Sequence, residues 1–173
     1  LRFALSEREA HAQAEQRARE SAAVNAFLQS MLASANPEST GGRSPSVAQV
    51  VDGAERDLDG LAAQPDVQRA VAATLASTRR ALGDYKAALA LSDRALAFAA
   101  TDMPEQRRNR LRERATILIE LSRFDEARKA LAEARAAWPD APLAARMDLD
   151  LEDTRVDSDA GDFDAAERGL RAL

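Results

Sequence analysis

Chemistry in this chain would have to come from one of three groups of charged side chains. The first surrounds the only histidine, His11, which has Glu7 and Glu15 one helical turn away on either side. Residues four apart on a helix are neighbours, so an imidazole and two carboxylates could meet a metal ion there. The segment around them, Ser6 to Glu20, is charged and alanine-rich with almost no large apolar side chain. A solvated helix face accounts for the trio, and no metal is expected. The second group is acidic: Asp148, Asp150, Glu152, Asp153, Asp157, Asp159, Asp162 and Asp164 stand against the single Arg155. Oxygen ligands suit calcium, but the spacing is not that of an EF-hand loop. Acid/base work needs a pocket that moves a carboxyl pKa, and the stretch shows no sign of one. The third group is basic, with Arg107, Arg108, Arg110, Arg112 and Arg114 against Glu105 and Glu113. Set beside the acidic stretch, it predicts charge compensation between neighbouring helices. In a groove, the same two groups would orient an extended charged peptide. Cysteine is absent, which excludes thiol catalysis, disulfides and Cys-ligated metal. No nucleophile–base pair can be assembled, so this segment is expected to be no enzyme and to need no cofactor.

The elements that position these groups repeat. Gly83-Asp84-Tyr85 returns as Ser122-Arg123-Phe124 and again as Gly161-Asp162-Phe163, each time after 39 residues, and Ala88, Ala127 and Ala166 follow at one offset. A fixed period of this length marks stacked helical units that pack on their neighbours. Small or polar residues make the turn, the ring wedges between two helices, and the alanine lets them approach. This resembles the tetratricopeptide pattern. The second repeat fits it best, through Leu111, Ala115, Leu118, Ala127, Leu131 and Pro139. The first carries Leu75, Ala76 and Ala88, with Arg79 and Ser92 where bulky residues are usual. The resemblance implies an all-α chain, an α-α superhelix of helix-turn-helix repeats with a long N-terminal helix. Composition agrees: 46% of residues are hydrophobic, mostly Ala and Leu, and only 4% are aromatic.

In chain order, residues 1–20 are expected to be a polar helical connector and 21–64 an N-terminal helix pair, which, with Ser46 one period before Tyr85, could equally be a divergent opening repeat. That pair comprises an apolar stripe of Val24, Phe27, Leu28, Met31 and Leu32, a loop over residues 36–45, and a helix from the N-cap Ser46 through Gln64. Repeats are expected at 65–103 and 104–141, with a partial or divergent one at 142–173. Helices are expected from Pro65 to Leu82, Asp84 to Ala100, from Pro104, and from Asp125 to Trp138, with Ala88, Leu91, Ala95 and Leu96 inward in the second of these. In the third repeat a shift of 39 puts Asp150, Asp153 and Asp157 on apolar positions. A shift of 36 puts Met147 and Leu151 there instead, which predicts a three-residue offset and a longer turn over 157–161. Trp138 is expected to pack between repeats.

In tetratricopeptide arrays the first helices line the concave face. Projected here, that face carries Ser77 and Arg80, then Asn109, Arg112 and Thr116, then Asp148 and Arg155. The positions that grip a terminal carboxylate in chaperone-binding arrays hold Ala73, Ser77, Glu113, Asp148 and Glu152, which disfavours that ligand. A net charge of -5 argues against nucleic acid. No apolar run is long enough to insert into a membrane. The expected partner is a protein or peptide. Leu170 and Leu173 extend the inward stripe of the last helix, which predicts self-association, a homodimer, through that end.

Residues 10–100, and especially the run from Ser21 to Leu89, resemble the extracytoplasmic part of bacterial membrane-spanning serine/threonine kinases. In that family a kinase domain, one membrane helix and a polar connector precede a tetratricopeptide array. The resemblance implies a sensor module in the periplasm, with any catalysis upstream of Leu1. The chain itself carries no Gly-rich phosphate loop and neither of the H-R-D and D-F-G kinase motifs. A cytoplasmic adaptor, or the effector arm of a transcriptional regulator, is the alternative. Starting at Leu rather than Met, the chain is expected to be an excerpt.

Overall fold

The structure, a computed structural model, describes residues 46–97 and 103–172, and before them 15, 18, 21, 22, 24–26 and 29. Those eight earlier residues are helical. The His11 trio's His11 and Glu7, the apolar residues Phe27, Leu28, Met31 and Leu32, the loop 36–45, residues 98–100 and Leu173 lie outside the described residues. The chain divides into two compact units, Leu1–Val71 and Ala72–Leu173.

In the first unit, helix α1 (Val47–Asp57) starts as its sequence demands. The Gln49 amide donates to Ser46 Oγ at 3.3 Å and the Ser46 amide donates to Gln49 Oε1 at 2.8 Å, closing a capping box. Val51, Ala54 and Leu58 are buried, at i, i+3 and i+7 on one stripe. The helix does not continue to Gln64. It tightens into a 3-10 turn over Leu58–Leu61. There the Ala62 amide bonds Asp59 O, while the Gln68 side-chain amide donates to Leu58 O at 3.0 Å. A side chain ten residues on thus takes the carbonyl that an α-helix would give to Ala62, and Gly60 offers little resistance to the change. Helix α2 (Pro65–Ala81) then begins at a proline, whose fixed φ suits the first helical position.

The second unit holds the rest of α2 and helices α3 (Tyr85–Ala97), α4 (Pro104–Glu120), α5 (Phe124–Ala137), α6 (Leu143–Asp159) and α7 (Phe163–Ala172). Three of its turns are copies. Gly83, Ser122 and Gly161 have φ of 79°, 56° and 86°. Each donates its amide to the carbonyl three residues back, and the following residue donates to the carbonyl five back, as in Asp84 to Arg79, Arg123 to Leu118 and Asp162 to Asp157. This pairing is the Schellman motif, which uses a left-handed residue to satisfy the last helical carbonyls. Asp84 and Asp162 then cap the next helix, accepting from the Ala87 and Ala165 amides at 3.2 and 3.0 Å. Arg123 cannot accept, and its guanidinium instead grips Glu126 through two bonds of 2.7 Å.

The alanines at the shared offset, Ala88, Ala127 and Ala166, are all buried. The core joins Ala88 and Leu89 of α3, the Leu111 to Ile119 face of α4, Ala127, Ala130, Leu131 and Ala134 of α5, and Leu149 and Val156 of α6, with Tyr85, Leu96 and Phe124 packed on it. Helix α4 lies against α3, α5 and α6, and α6 lies against α4, α5 and α7. Each of these first helices therefore touches its own partner, the second helix before it, and a neighbouring first helix.

The third repeat corrects the expected offset. Its turn keeps the 39-residue register, and Asp157, Ser158 and Asp159 are helical. Leu149, Thr154 and Val156 are buried there, Met147 is only half-buried and Leu151 is 49% exposed. The acids on the formerly apolar positions are accommodated because α5 supplies cations. Arg135 bonds Asp150 at 2.7 Å and pairs with Asp153, and Arg128 bonds Asp157 at 2.9 Å. Arg79 and Ser92 in the first repeat are buried despite their polarity, and Arg79 lies 3.6 Å from Asp84 across the turn.

Candidate functional site

The first helices carry a ladder of ion pairs from one repeat to the next. Arg80 of α2 donates to Glu113 of α4 at 2.8 Å. Between α4 and α6, Arg108 meets Asp148 at 3.2 Å, Arg112 meets Glu152 at 3.6 Å, and Glu120 accepts from Arg155 at 2.6 Å. The hydrogen bond to Glu120 outweighs the lowering effect of burial and holds the Arg155 pKa above the ordinary arginine value. On the other side of α6, burial alone would lower the Arg135 pKa, yet Asp150 and Asp153 hold it above the ordinary value. Compensation between the basic and acidic helices is thus realised contact by contact.

Of the seven residues projected onto the concave face, five keep solvent exposure. Arg80, Arg112 and Arg155 are partly exposed ladder members, Asp148 is half-exposed, and Asn109 is exposed while accepting from Arg108 at 2.6 Å. The other two are spent within the fold. Thr116 is buried, and its hydroxyl lies 3.1 Å from both Arg112 O and Glu152 Oε1. Ser77 is half-buried and donates to Thr74 O at 3.0 Å.

Arg108 was not among the projected residues, and it is the most committed side chain of this face. It is 4% exposed, and its guanidinium donates to Asn109, to Asp148 and to the Ala145 carbonyl in the first turn of α6. Arg69, 39 residues earlier, is fully buried and pairs with Asp66 at 3.0 Å. The sequence did hold a signal: an arginine follows four residues after Pro65 and again after Pro104.

Trp138 is half-buried at the C-cap of α5 and lines a cleft against Ala145 and Leu149 of the third repeat, as expected of an inter-repeat residue. Among the described residues no group of three or more metal-ligating side chains stands together, and no helix is long and apolar enough to cross a membrane. Leu170 is 59% exposed on α7.

No known family model matches the chain, and no curated protein does. Solved structures do. A kinesin light chain-like protein from Podosopora anserina, with nearly identical TPR-like repeats, superposes with a TM-score of 0.56, covering 96% of this chain and 90% of its own at 19% identity. A singly substituted form of that protein gives 0.59 over 96% and 91%, also at 19% identity. The fold is that of an all-α, TPR-like repeat protein. At this identity the likeness concerns the fold, and it agrees with the 39-residue units, their turns and their helix pairing.

Proposed function

We propose that this TPR-like segment is a non-catalytic interaction module that binds an extended peptide or protein segment along its first helices. The observation that carries this reading is the ladder on α2, α4 and α6. Arg80, Asn109, Arg112, Asp148 and Arg155 present both charge signs and remain reachable by solvent. A partner can exchange its own carboxylates and amines for the internal ones, so orientation is set by charge while the fold supplies the scaffold. Exposed pairs contribute only ~0–1 kcal/mol each to stability, which makes their exchange inexpensive.

The test is selection of a phage-displayed random peptide library against the chain. A recurring charged motif should emerge, and its binding should fall at least tenfold when Arg112 and Arg155 are both changed to Ala. Failure of any motif to emerge, or equal binding to the variant, would count against the reading. The purified segment should hydrolyse neither ATP nor simple esters. Reproducible turnover would overturn the non-catalytic part.

The likeness of residues 10–100 to membrane-kinase sensor regions supports placing the module outside the cytoplasm, behind a kinase. Labelling of the parent protein in intact bacteria by a membrane-impermeant lysine reagent tests that placement. Protection of Lys86 and Lys129 until the cells are lysed would contradict it.

A further inference from the structure

In the second repeat, α6 lies against both α4 and α5. Leu131 there is fully buried in the cluster that Leu149 and Val156 of α6 join, and Phe124 packs on it. One period later the same positions hold Leu170 and Phe163, and both are exposed. Helix α6 also differs from α4 on the side that faces the next unit. Where α4 turns Arg108 and Arg112 toward Asp148 and Glu152, α6 carries Met147 and Leu151. With Leu143 they fall at i, i+4 and i+8 on one helix face, and Leu143 and Leu151 are exposed. The charge on the second helix changes sign as well. Arg128 of α5 bonds Asp157 of α6, while the counterpart of Arg128 on α7 is the exposed Glu167.

We propose that the α6–α7 pair docks one amphipathic helix of a partner protein, apolar on its buried side and basic where it passes Glu167. The occupant's template is already in the fold, since α6 itself fills the corresponding place over α4 and α5. Its side chains change with the surface beneath them. Acids that meet Arg108 and Arg112 give way to apolar residues over Met147 and Leu151. The acid that meets Arg128 gives way to a lysine or arginine over Glu167. Leu143, Met147, Leu151, Phe163 and Leu170 make the kind of apolar surface that marks an interaction site, and a helix offers apolar positions at matching spacing. The proposal does not rest on the first-helix reading, because none of the residues that carry that reading belongs to this face.

The probe is a fluorescein-labelled synthetic peptide of residues 143–159 carrying Asp148→Leu, Glu152→Leu and Asp157→Lys. Its anisotropy should rise to saturation as the segment is added. The unaltered 143–159 peptide, patterned for α4 and α5, should bind about tenfold more weakly at least, because one seated apolar side chain is worth roughly that factor. In the segment, Leu151→Glu with Leu170→Glu should weaken the altered peptide by a similar factor. Leu82→Glu, at an exposed leucine of the first repeat, should not. All three leucines are exposed, so the variants should keep the helical spectrum. Glu167→Lys should reverse the charge preference and favour a peptide that keeps Asp157. Equal binding of the two peptides, an unsaturable response, full affinity in the double variant, or an unchanged preference in Glu167→Lys would overturn the proposal. So would a dimer of the segment that Leu151→Glu with Leu170→Glu abolishes and the peptide cannot displace, which would give the face to a second copy.

Discussion

Gly169 in α7 offers the sharpest test of the repeat register. A Cβ built there would lie 2.6 Å from Thr154 Oγ1, closer than atoms can sit unless something moves, with the Thr154 Cβ at an ordinary 3.6 Å. Thr154 cannot turn away freely, because its hydroxyl donates to Asp150 O at 2.9 Å. One period earlier the same two positions hold Ala115 and Ala130, both buried in the core. The third repeat thus carries a larger residue on its first helix and compensates with none on its second. Gly169→Ala alone should gain up to about 1 kcal/mol of helix propensity and lose ~1–3 kcal/mol to overpacking, for a net loss of about 1 kcal/mol. In a Thr154→Ala background the clash disappears, and the same change should stabilise by about 0.5–1 kcal/mol. The double-mutant coupling should therefore be ~1–3 kcal/mol. Because α7 packs on α6 alone among the described elements, hydrogen exchange of its amides should be followed beside thermal unfolding by circular dichroism. Equal effects of Gly169→Ala in both backgrounds would show that α6 and α7 do not meet at this pair.

Other consequences of the register can be tested by single substitutions. Ser122 holds a φ of 56° where the other two turns have glycine, so Ser122→Gly should raise stability by about 0.5–1 kcal/mol, and an unchanged or lower melting temperature would contradict this. Ala127 is fully buried at the helix crossing of the second repeat, so Ala127→Leu should cost ~1–3 kcal/mol by thermal unfolding; no change would place the crossing elsewhere. Bonds from Arg123 hold the Glu126 carboxyl below the ordinary glutamate value. Its contribution is therefore present above the unfolded pKa and fades as pH falls through the folded one, and a carboxyl NMR titration of Arg123→Ala should show the Glu126 midpoint moving up. An unmoved midpoint would mean the pair does not persist in solution. Phe163 is 70% exposed where Tyr85 and Phe124 are half-buried, and with the 59% exposed Leu170 it gives α7 an exposed apolar surface. Changing Leu170 and Leu173 to Glu should lessen any concentration-dependent sedimentation of the segment, and association indifferent to the change would point to another surface.

Much of this fold is legible in the amino-acid sequence, because turn chemistry repeats at the level of single residues. Gly83, Ser122 and Gly161 occupy one backbone conformation, and three alanines share one crossing offset. Where expectation failed, polar residues had taken positions that periodicity reserves for apolar ones. Asp150 and Asp157 suggested a slipped register because hydrophobic pattern is blind to a cation arriving from another helix. Arg128 and Arg135 supply it, and only the tertiary structure brings them there. The early end of α1 was hidden for a similar reason, since the competing donor Gln68 belongs to the next helix. The first-helix face was legible as a set of positions. Which of them remain available was not, because Thr116 and Ser77 are consumed by contacts that spacing cannot foretell. The burial of Arg108 is not legible, because a charged residue in a basic run reads as surface.

A partner lying along the first helices is the centre of the proposed function. The direct measurement is chemical-shift mapping on the isotope-labelled segment with a library-selected peptide. Perturbations should concentrate on exposed first-helix residues, among them Arg80, Asn109, Arg112, Asp148 and Arg155, and leave the outer residues of α5, such as Lys129 and Glu133, unchanged. Perturbations confined to α3, α5 and α7, with the ladder untouched, would contradict the account.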